Sequence, residues 1–442
     1  MRDFLPEDVR RREYVIGVIR RVYERYGFEP LETPAVENLE TLLGKYGDEG
    51  NKLIYKILKR GEHEKTGEAD LALRYDLTVP LARVVAHHQA KLPRLFKRYQ
   101  IQPVWRADRP ARGRFREFYQ CDVDLLGSTS PVIEAELCAA VSDALSELGF
   151  SEFVIRLNDR RVLTALLDAA GVDPTLHGPA LVALDKLDKI GADGVAGELA
   201  ERGIAADAGA ALLSYFDVRA RADATLRGCN DELDRLEAAI GAGPGRAALE
   251  SLRAIVALGS GTRTADKIRI DPSLARGLSY YTGTIMEVAV ADLAGSLGGG
   301  GRYDNLIGMF SGSSIPACGF SLGLERILVV MAERGMFPPT LAMSPADVMV
   351  AMFDESAAAN TLRVADHLRA SGLRVLVYPD PDKLGKQIKY ADERGIPFVA
   401  LLGDDEMQAG TVTVKNLAAK TQQTYELAAA GAAILEALTQ RG

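Results

Sequence analysis

The chain has 442 residues and a mass of 47.7 kDa, a length that ordinary domain sizes divide into two to four units. Hydrophobic residues make up 47% and charged residues 26%, which excludes a disordered, collagen-like or disulfide-scaffold protein. A net charge of -8 and a pI near 5.4 mean that any nucleic-acid partner has to be met by a local basic surface and not by the field of the whole molecule.

The opening MRDFLPEDVRRRE carries charge where a secretion signal needs an apolar run, and no stretch of 18 uncharged apolar residues follows. The expectation is a cytoplasmic protein with no membrane segment. Cys121, Cys138, Cys229 and Cys318 form no CxxC pair, so they read as reduced, structural thiols. Pro6, Glu7 and Asp8 signal a helix start, and Val9, Ile16, Ile19, Tyr23 and Tyr26 recur at helical spacing until Gly27. From Phe28 to about residue 130, short apolar segments such as LALRYDL and RLFKRYQIQPVW, split by Gly, Pro and charge, predict an antiparallel sheet. Residues 131 to 149 return to helix.

Between Val162 and Leu258 the chain turns to Ala, Leu, Asp and Arg, the composition of a helical insertion of about 165–258. Strand character resumes at DKIRIDPSLARGLSYYTGTIMEVAVA, passes through Gly298 to Gly301, and ends in a helix beginning near GFSLGLERILVVMAERG. After a linker at 337–345, strand and helix patterns alternate over 346–442, predicting an α/β domain with a mostly parallel sheet. The fold class is α+β: an antiparallel sheet core flanked by helices over 1–336, plus the C-terminal α/β unit.

No GxxxxGK[ST], strand-borne GxGxxG or HExxH occurs, so the common phosphate loops and the zinc-protease helix motif are absent. His87 and His88 are adjacent and do not share a helix face, which argues against metal ligation. From Arg94 to Arg116, eight basic residues (Arg94, Lys97, Arg98, Arg106, Arg109, Arg112, Arg114, Arg116) meet a single acid, Asp108. Several planar guanidinium forks beside a PARG loop suit a polyphosphate, although density alone fits a solvated hairpin equally well. Asp76, Glu117, Asp122 and Asp124 flank this run on strand-like segments, with Asp122, Asp124 and Gln120 on one face and Phe118, Tyr119 and Cys121 toward the core. The glycine block ending in Arg302-Tyr303-Asp304 leaves space that a ligand would fill. Arg326, with Glu325 at the start of an apolar helix, opposes the helix dipole and asks for an anionic partner.

In order, these segments resemble the motifs of class II aminoacyl-tRNA synthetases, and in detail the histidyl-tRNA synthetase family. YGFEPLETPAVENLETL, with Pro34, is similar to motif 1; RYQIQPVWRADRPARGRFREFYQCDVDLLG to motif 2; GFSLGLERI to motif 3. LARGLSYYTG and GGGGRYDNLIGMF resemble the two histidine-specific motifs, and LRYDLTVPLAR the loop that holds the substrate's amino group. GKQIKYADERGIPFVALLG resembles the anticodon-binding domain shared with threonyl, prolyl and glycyl enzymes.

The resemblance implies ATP and Mg²⁺, L-histidine and tRNA(His) as ligands, and a homodimer through the motif 1 region. It implies that Arg106 and Arg276 are catalytic, that Arg106, Asp108, Arg114, Phe118 and Arg326 bind ATP, and that Asp76, Thr78 and Gln120 hold the amino group. Asp124 and Tyr281 would read the imidazole, Tyr280 and Tyr303 shape its pocket, and Arg106 and Arg276 also face the histidine. Ser279 stands where the family commonly has Asp, Asn305 where Gly often stands, and Asp76, Asp108 and Asp124 are shorter than the glutamates of many bacterial members. The rival is a synthetase-like regulatory subunit of ATP phosphoribosyltransferase that binds histidine without aminoacylating. Against it stand the additional C-terminal domain and the retained Arg106, Arg276 and Arg326. From Ala346 to Gly442 ten Lys and Arg face thirteen Asp and Glu, so anticodon contact would depend on a local patch such as Lys383, Lys386, Lys389 and Arg394.

Overall fold

The computed structural model describes residues 1–45, 51–61, 65–216, 224–275, 280–291, 293, 295–338, 341 and 344–440. Two compact units emerge, one of residues 12–336 with 1–3, the other of 337–442 with 4–11. The first helix runs Pro6–Arg25 and buries Val15, Ile16, Val18, Ile19, Val22 and Tyr23, the stripe expected of its 3.6-residue period.

The larger unit is built on an eight-stranded sheet in the order β1-β5-β6-β11-β10-β9-β7-β8. Its strands are β1 (Glu29–Pro30), β5 (Phe96–Trp105), β6 (Glu117–Leu126), β7 (Val154–Asp159), β8 (Ile268–Ile270), β9 (Thr284–Ala289), β10 (Ser296–Arg302) and β11 (Ala317–Gly323). The pairings are antiparallel except at the two edges, where β1 joins β5 and β8 joins β7 in parallel. β6 sits inside, bonded to β5 and β11 on its two sides, and is buried along most of its length.

Two features depart from the expected pattern between residues 28 and 130. β2 (Val36–Asn38), β3 (Lys56–Leu58) and β4 (Ala69–Leu73) form a separate small sheet in the order β2-β4-β3. A helix, Thr78–His88, interrupts the strands; Pro80 falls in its first turn, where its missing N–H costs no helical bond. Asp76 accordingly lies in the turn before that helix and not on a strand, its Oδ1 accepting from Val79 N at 3.1 Å. The segment 317–323 is also strand, with the helix starting only at Leu324.

Between β7 and β8 the described chain is helical, from Arg160–Ala169 to Pro244–Gly259, and the helix Val132–Glu147 packs on the latter. The smaller unit holds β12 (Val348–Val350), β13 (Val375–Val377), β14 (Phe398–Leu401), β15 (Thr411–Asn416) and β16 (Thr421–Glu426), in the order β13-β12-β14-β15-β16. Its sheet is half parallel and half antiparallel, a correction to the mostly parallel expectation, because TVTVKN and TQQTYE close a hairpin. Val348, Val350, Val364, Leu368, Phe398, Ala400 and Ile434 form its core. Among the described residues no helix is long and apolar enough to cross a membrane.

Candidate active site

Alternation along a strand sends every second side chain to one face. On β6 that face carries Phe118, Gln120, Asp122 and Asp124, all lining a cavity of about 930 Å³ in the larger unit. Phe118 thus belongs with the polar row and not on the opposite face with Cys121, which is fully buried, and Tyr119, which is half-buried, because its even position overrides the general preference of an aromatic ring for burial. Asp76, Thr78, Arg106, Asp108, Arg114, Tyr280, Tyr281, Tyr303 and Arg326 line the same cavity. Of the residues singled out in the sequence, Arg276 and Ser279 lie outside those described.

Below the cavity floor, Arg98 from β5 is fully buried. Its Nη2 lies 2.8 Å from Asp124 Oδ2 and 4.0 Å from Asp122 Oδ2, while its Nη1 donates to Gln100 Oε1 at 3.1 Å. Gln100 Nε2 in turn donates to Thr33 Oγ1 at 2.9 Å and to Gln102 Oε1 at 2.6 Å. Arg74 reaches the same Gln102 oxygen at 3.0 Å and the carbonyl of Thr33 at 2.6 Å; burial pulls its guanidinium down to about 10. This chain of donors and acceptors ties the polar floor to the layer beneath it.

Two buried carboxylates share one guanidinium. Burial pushes Asp122 up to about 7, with Arg98 opposing and Asp124 adding to the rise; Asp124 is also raised, by burial first. The Tyr303 hydroxyl donates to Asp124 Oδ1, and the Tyr280 hydroxyl donates to Asp76 Oδ2 at 3.1 Å. Tyr280 packs edge-on against both Tyr281 and Tyr303, with ring centres 5.3 and 6.0 Å apart.

Glycine is required where the floor closes. A Cβ at Gly319, opposite Asp124 on β11, would lie 1.9 Å from Asp124 Oδ1. A Cβ at Gly300 would lie 2.1 Å from the carbonyl oxygen of Gly319, so this glycine admits the neighbouring strand's backbone, while Gly298, Gly299 and Gly300 also line the cavity.

At the other end, Arg106 donates through Nε to Tyr75 O at 3.0 Å, and its guanidinium lies 4.3 Å from the Tyr75 ring centre and 5.1 Å from that of Phe118. Arg114 pairs with Asp108 at 2.8 Å, and Arg112 with Glu333. Arg326 donates to the carbonyl of Ser296. Glu325, beside it, receives Tyr119 N on both oxygens at 3.1 and 3.0 Å, replacing the ladder partner that β6 loses where β11 ends. Burial pushes Glu325 up to about 7. Sequence reasoning missed the pairing of Arg98 and the latch of Glu325, since neither contact has a signature in spacing; the two-residue offset of Asp122 and Asp124 was the available signal.

An antiparallel sheet that gathers arginines, a carboxylate row and aromatic rings around one cavity defines a class II aminoacyl-tRNA synthetase core. A sequence model of histidyl-tRNA synthetase matches residues 1–327, and one of an anticodon-binding domain matches 347–437. A histidine–tRNA ligase of Gloeobacter violaceus is 43% identical over 97% of this chain and 96% of its own length. The crystal structure of histidyl-tRNA synthetase from Nostoc sp. PCC 7120 superposes with a TM-score of 0.79 at 32% identity, covering 100% of this chain and 98% of that one. A Bacillus halodurans structure titled as an ATP phosphoribosyltransferase regulatory subunit/histidyl-tRNA synthetase shares the fold, with a TM-score of 0.72 at 21% identity over 91% and 96% of the two chains. The chain belongs to the histidyl-tRNA synthetase family.

Proposed function

We propose that the protein is a histidine–tRNA ligase, which joins L-histidine to ATP as histidyl-adenylate, releases pyrophosphate and transfers the histidyl group to the 3' end of tRNA(His), freeing AMP. The observation that carries this reading is the convergence of Arg106, Arg326, Asp76, Gln120 and Asp124 on one cavity of the larger unit. In-line attack of a carboxylate on the α-phosphorus needs no covalent enzyme intermediate, so positioning and fixed charge supply the catalysis. Arg106, held by Tyr75 O, faces the α-phosphate and the substrate carboxylate; Phe118 and Arg326 take the two faces of adenine. Arg114, with Asp108, and Arg326 face the outer phosphates. Asp76, Thr78 and Gln120 hold the α-ammonium, while Asp124, Tyr281, Tyr280 and Tyr303 form the ring end. Arg276 steadies charge developing at phosphorus.

Mg²⁺ would accompany ATP and offset charge on its phosphates, with one or two carboxylates of the site completing its shell. Residues 1–336 act as the catalytic domain with its insertion at about 165–258, 337–345 as linker and 346–442 as the anticodon reader. The protein works in the cytoplasm as a homodimer through the motif 1 region. Histidine-dependent exchange of labelled pyrophosphate into ATP tests the reading. Exchange with histidine alone among the amino acids supports it, and no exchange by folded protein overturns it. Arg276→Ala should slow adenylation strongly while sparing ATP binding.

A further inference from the structure

Three acceptor oxygens on the cavity face of β6 lie buried with no hydrogen-bond donor: Gln120 Oε1, Asp122 Oδ1 and Asp124 Oδ2. They are not equivalent. Asp124 Oδ2 is held in the ion pair with Arg98 at 2.8 Å, and Asp124 Oδ1 already receives the Tyr303 hydroxyl. Gln120 is anchored through Nε2 to Ser321 Oγ at 3.1 Å. Asp122 has the Ser321 hydroxyl and, at 4.0 Å, Arg98, yet its Oδ1 has no partner in a side chain that is 3% exposed. A buried acceptor without a donor is costly, so one that persists in a cavity floor marks the place where a ligand brings the donor.

We propose that Asp122 is a specificity-determining residue of this pocket, and that its Oδ1 accepts an N–H from the imidazole ring of the substrate. The inference rests on histidine being the amino acid bound. It moves part of the ring recognition from Asp124, whose oxygens are engaged by Arg98 and Tyr303, to the acid between Asp124 and Gln120. On β6 that middle position stands between the residue assigned to the amino group and the one assigned to the ring. A ring without the N–H would leave Asp122 stranded, which is how a buried acceptor rejects a close analogue.

The groups that face Asp122 are Arg98 from β5, Asp124 from its own strand, Ser321 from β11, Asp76 from the turn before Thr78–His88, and Tyr281 ahead of β9; Tyr23 from the first helix and Arg74 act at longer range. Burial raises the Asp122 carboxyl and so favours its protonated form in the free protein. An arriving N–H favours the ionised form, so histidine binding expels that proton.

The test compares wild type, Asp122→Asn and Asp122→Ala in pyrophosphate exchange, with histidine and its two N-methyl ring isomers as substrates. Asp122→Ala is expected to raise the histidine KM at least about thirtyfold and Asp122→Asn about tenfold, with the ATP KM within twofold. The preference for histidine over one methyl isomer should collapse in the Ala variant. Calorimetry at pH 6.5 in buffers of different ionisation heat should show fewer protons released on histidine binding by Asp122→Asn than by wild type. The nearly isosteric Asn variant, checked by its melting curve, keeps the result readable if Ala perturbs folding. A histidine KM within twofold of wild type in both variants, with methyl discrimination and proton release unchanged, overturns the proposal. Absence of histidine-dependent exchange in the wild type would instead overturn the assigned activity.

Discussion

The two ends of the cavity are built on opposite principles. At the ring end, Asp122, Asp124 and Tyr303 of the floor and Arg98 beneath it are buried and linked to one another. At the phosphate end, Arg112 and Arg114 are half exposed and paired with Glu333 and Asp108 across the surface. Buried charges hold one geometry because losing a partner is expensive, whereas exposed pairs are weak and exchange readily for a phosphate oxygen. On the proposed reading, selection of the amino acid falls to a rigid region and capture of the polyanion to a yielding one.

Replacing Arg98 tests the rigid end most severely. Arg98→Met leaves two buried carboxylates without their counterion and should cost about 3–5 kcal/mol of stability in urea unfolding. The loss should be greater at pH 8 than at pH 6. The folded pKa of Asp122 is raised to about 7 from an unfolded value of about 3.9. The native state therefore binds the proton more tightly, and the stability this supplies is complete below pH of about 4 and lost as pH rises through 7. Glu325 acts in the same direction, so the wild type should melt at a lower temperature at pH 8 than at pH 5.

Tyr303→Phe removes the hydroxyl that donates to Asp124 and should cost about 1.5–3 kcal/mol, with a higher histidine KM and an unchanged ATP KM. Gly319→Ala forces a methyl group against Asp124 Oδ1 and should cost about 1–3 kcal/mol, read by thermal melting. Arg112→Ala belongs to the yielding end: stability should change by at most about 0.5 kcal/mol, while the ATP KM rises and the histidine KM stays. A large stability loss there would erase the contrast between the two ends.

The arginine density, the carboxylate offset and the glycine block were legible in the sequence because each is a local pattern. Phe118 was misplaced because its apolar ring was weighed above its even position on β6. The helix Thr78–His88 was hidden by Pro80 and three valines, which read as strand or break until the first-turn position of the proline is known. The hairpin β15–β16 was missed in part because its turn runs through Lys420 at a φ of 54°, a conformation that lysine seldom signals. No spacing rule tells that Arg98 and Tyr303 occupy Asp124 and leave an oxygen of Asp122 over.

β6 is bonded along its whole length to β5 and from Gln120 to Leu126 to β11, and this gives the row of side chains on it the character of a ruler. Inserting or deleting a single residue anywhere in the strand would turn it over, presenting Tyr119, Cys121 and Val123 to the substrate and driving three polar groups into hydrocarbon. Substrate choice and folding are thus written in the same register, and a chain that slips loses both at once.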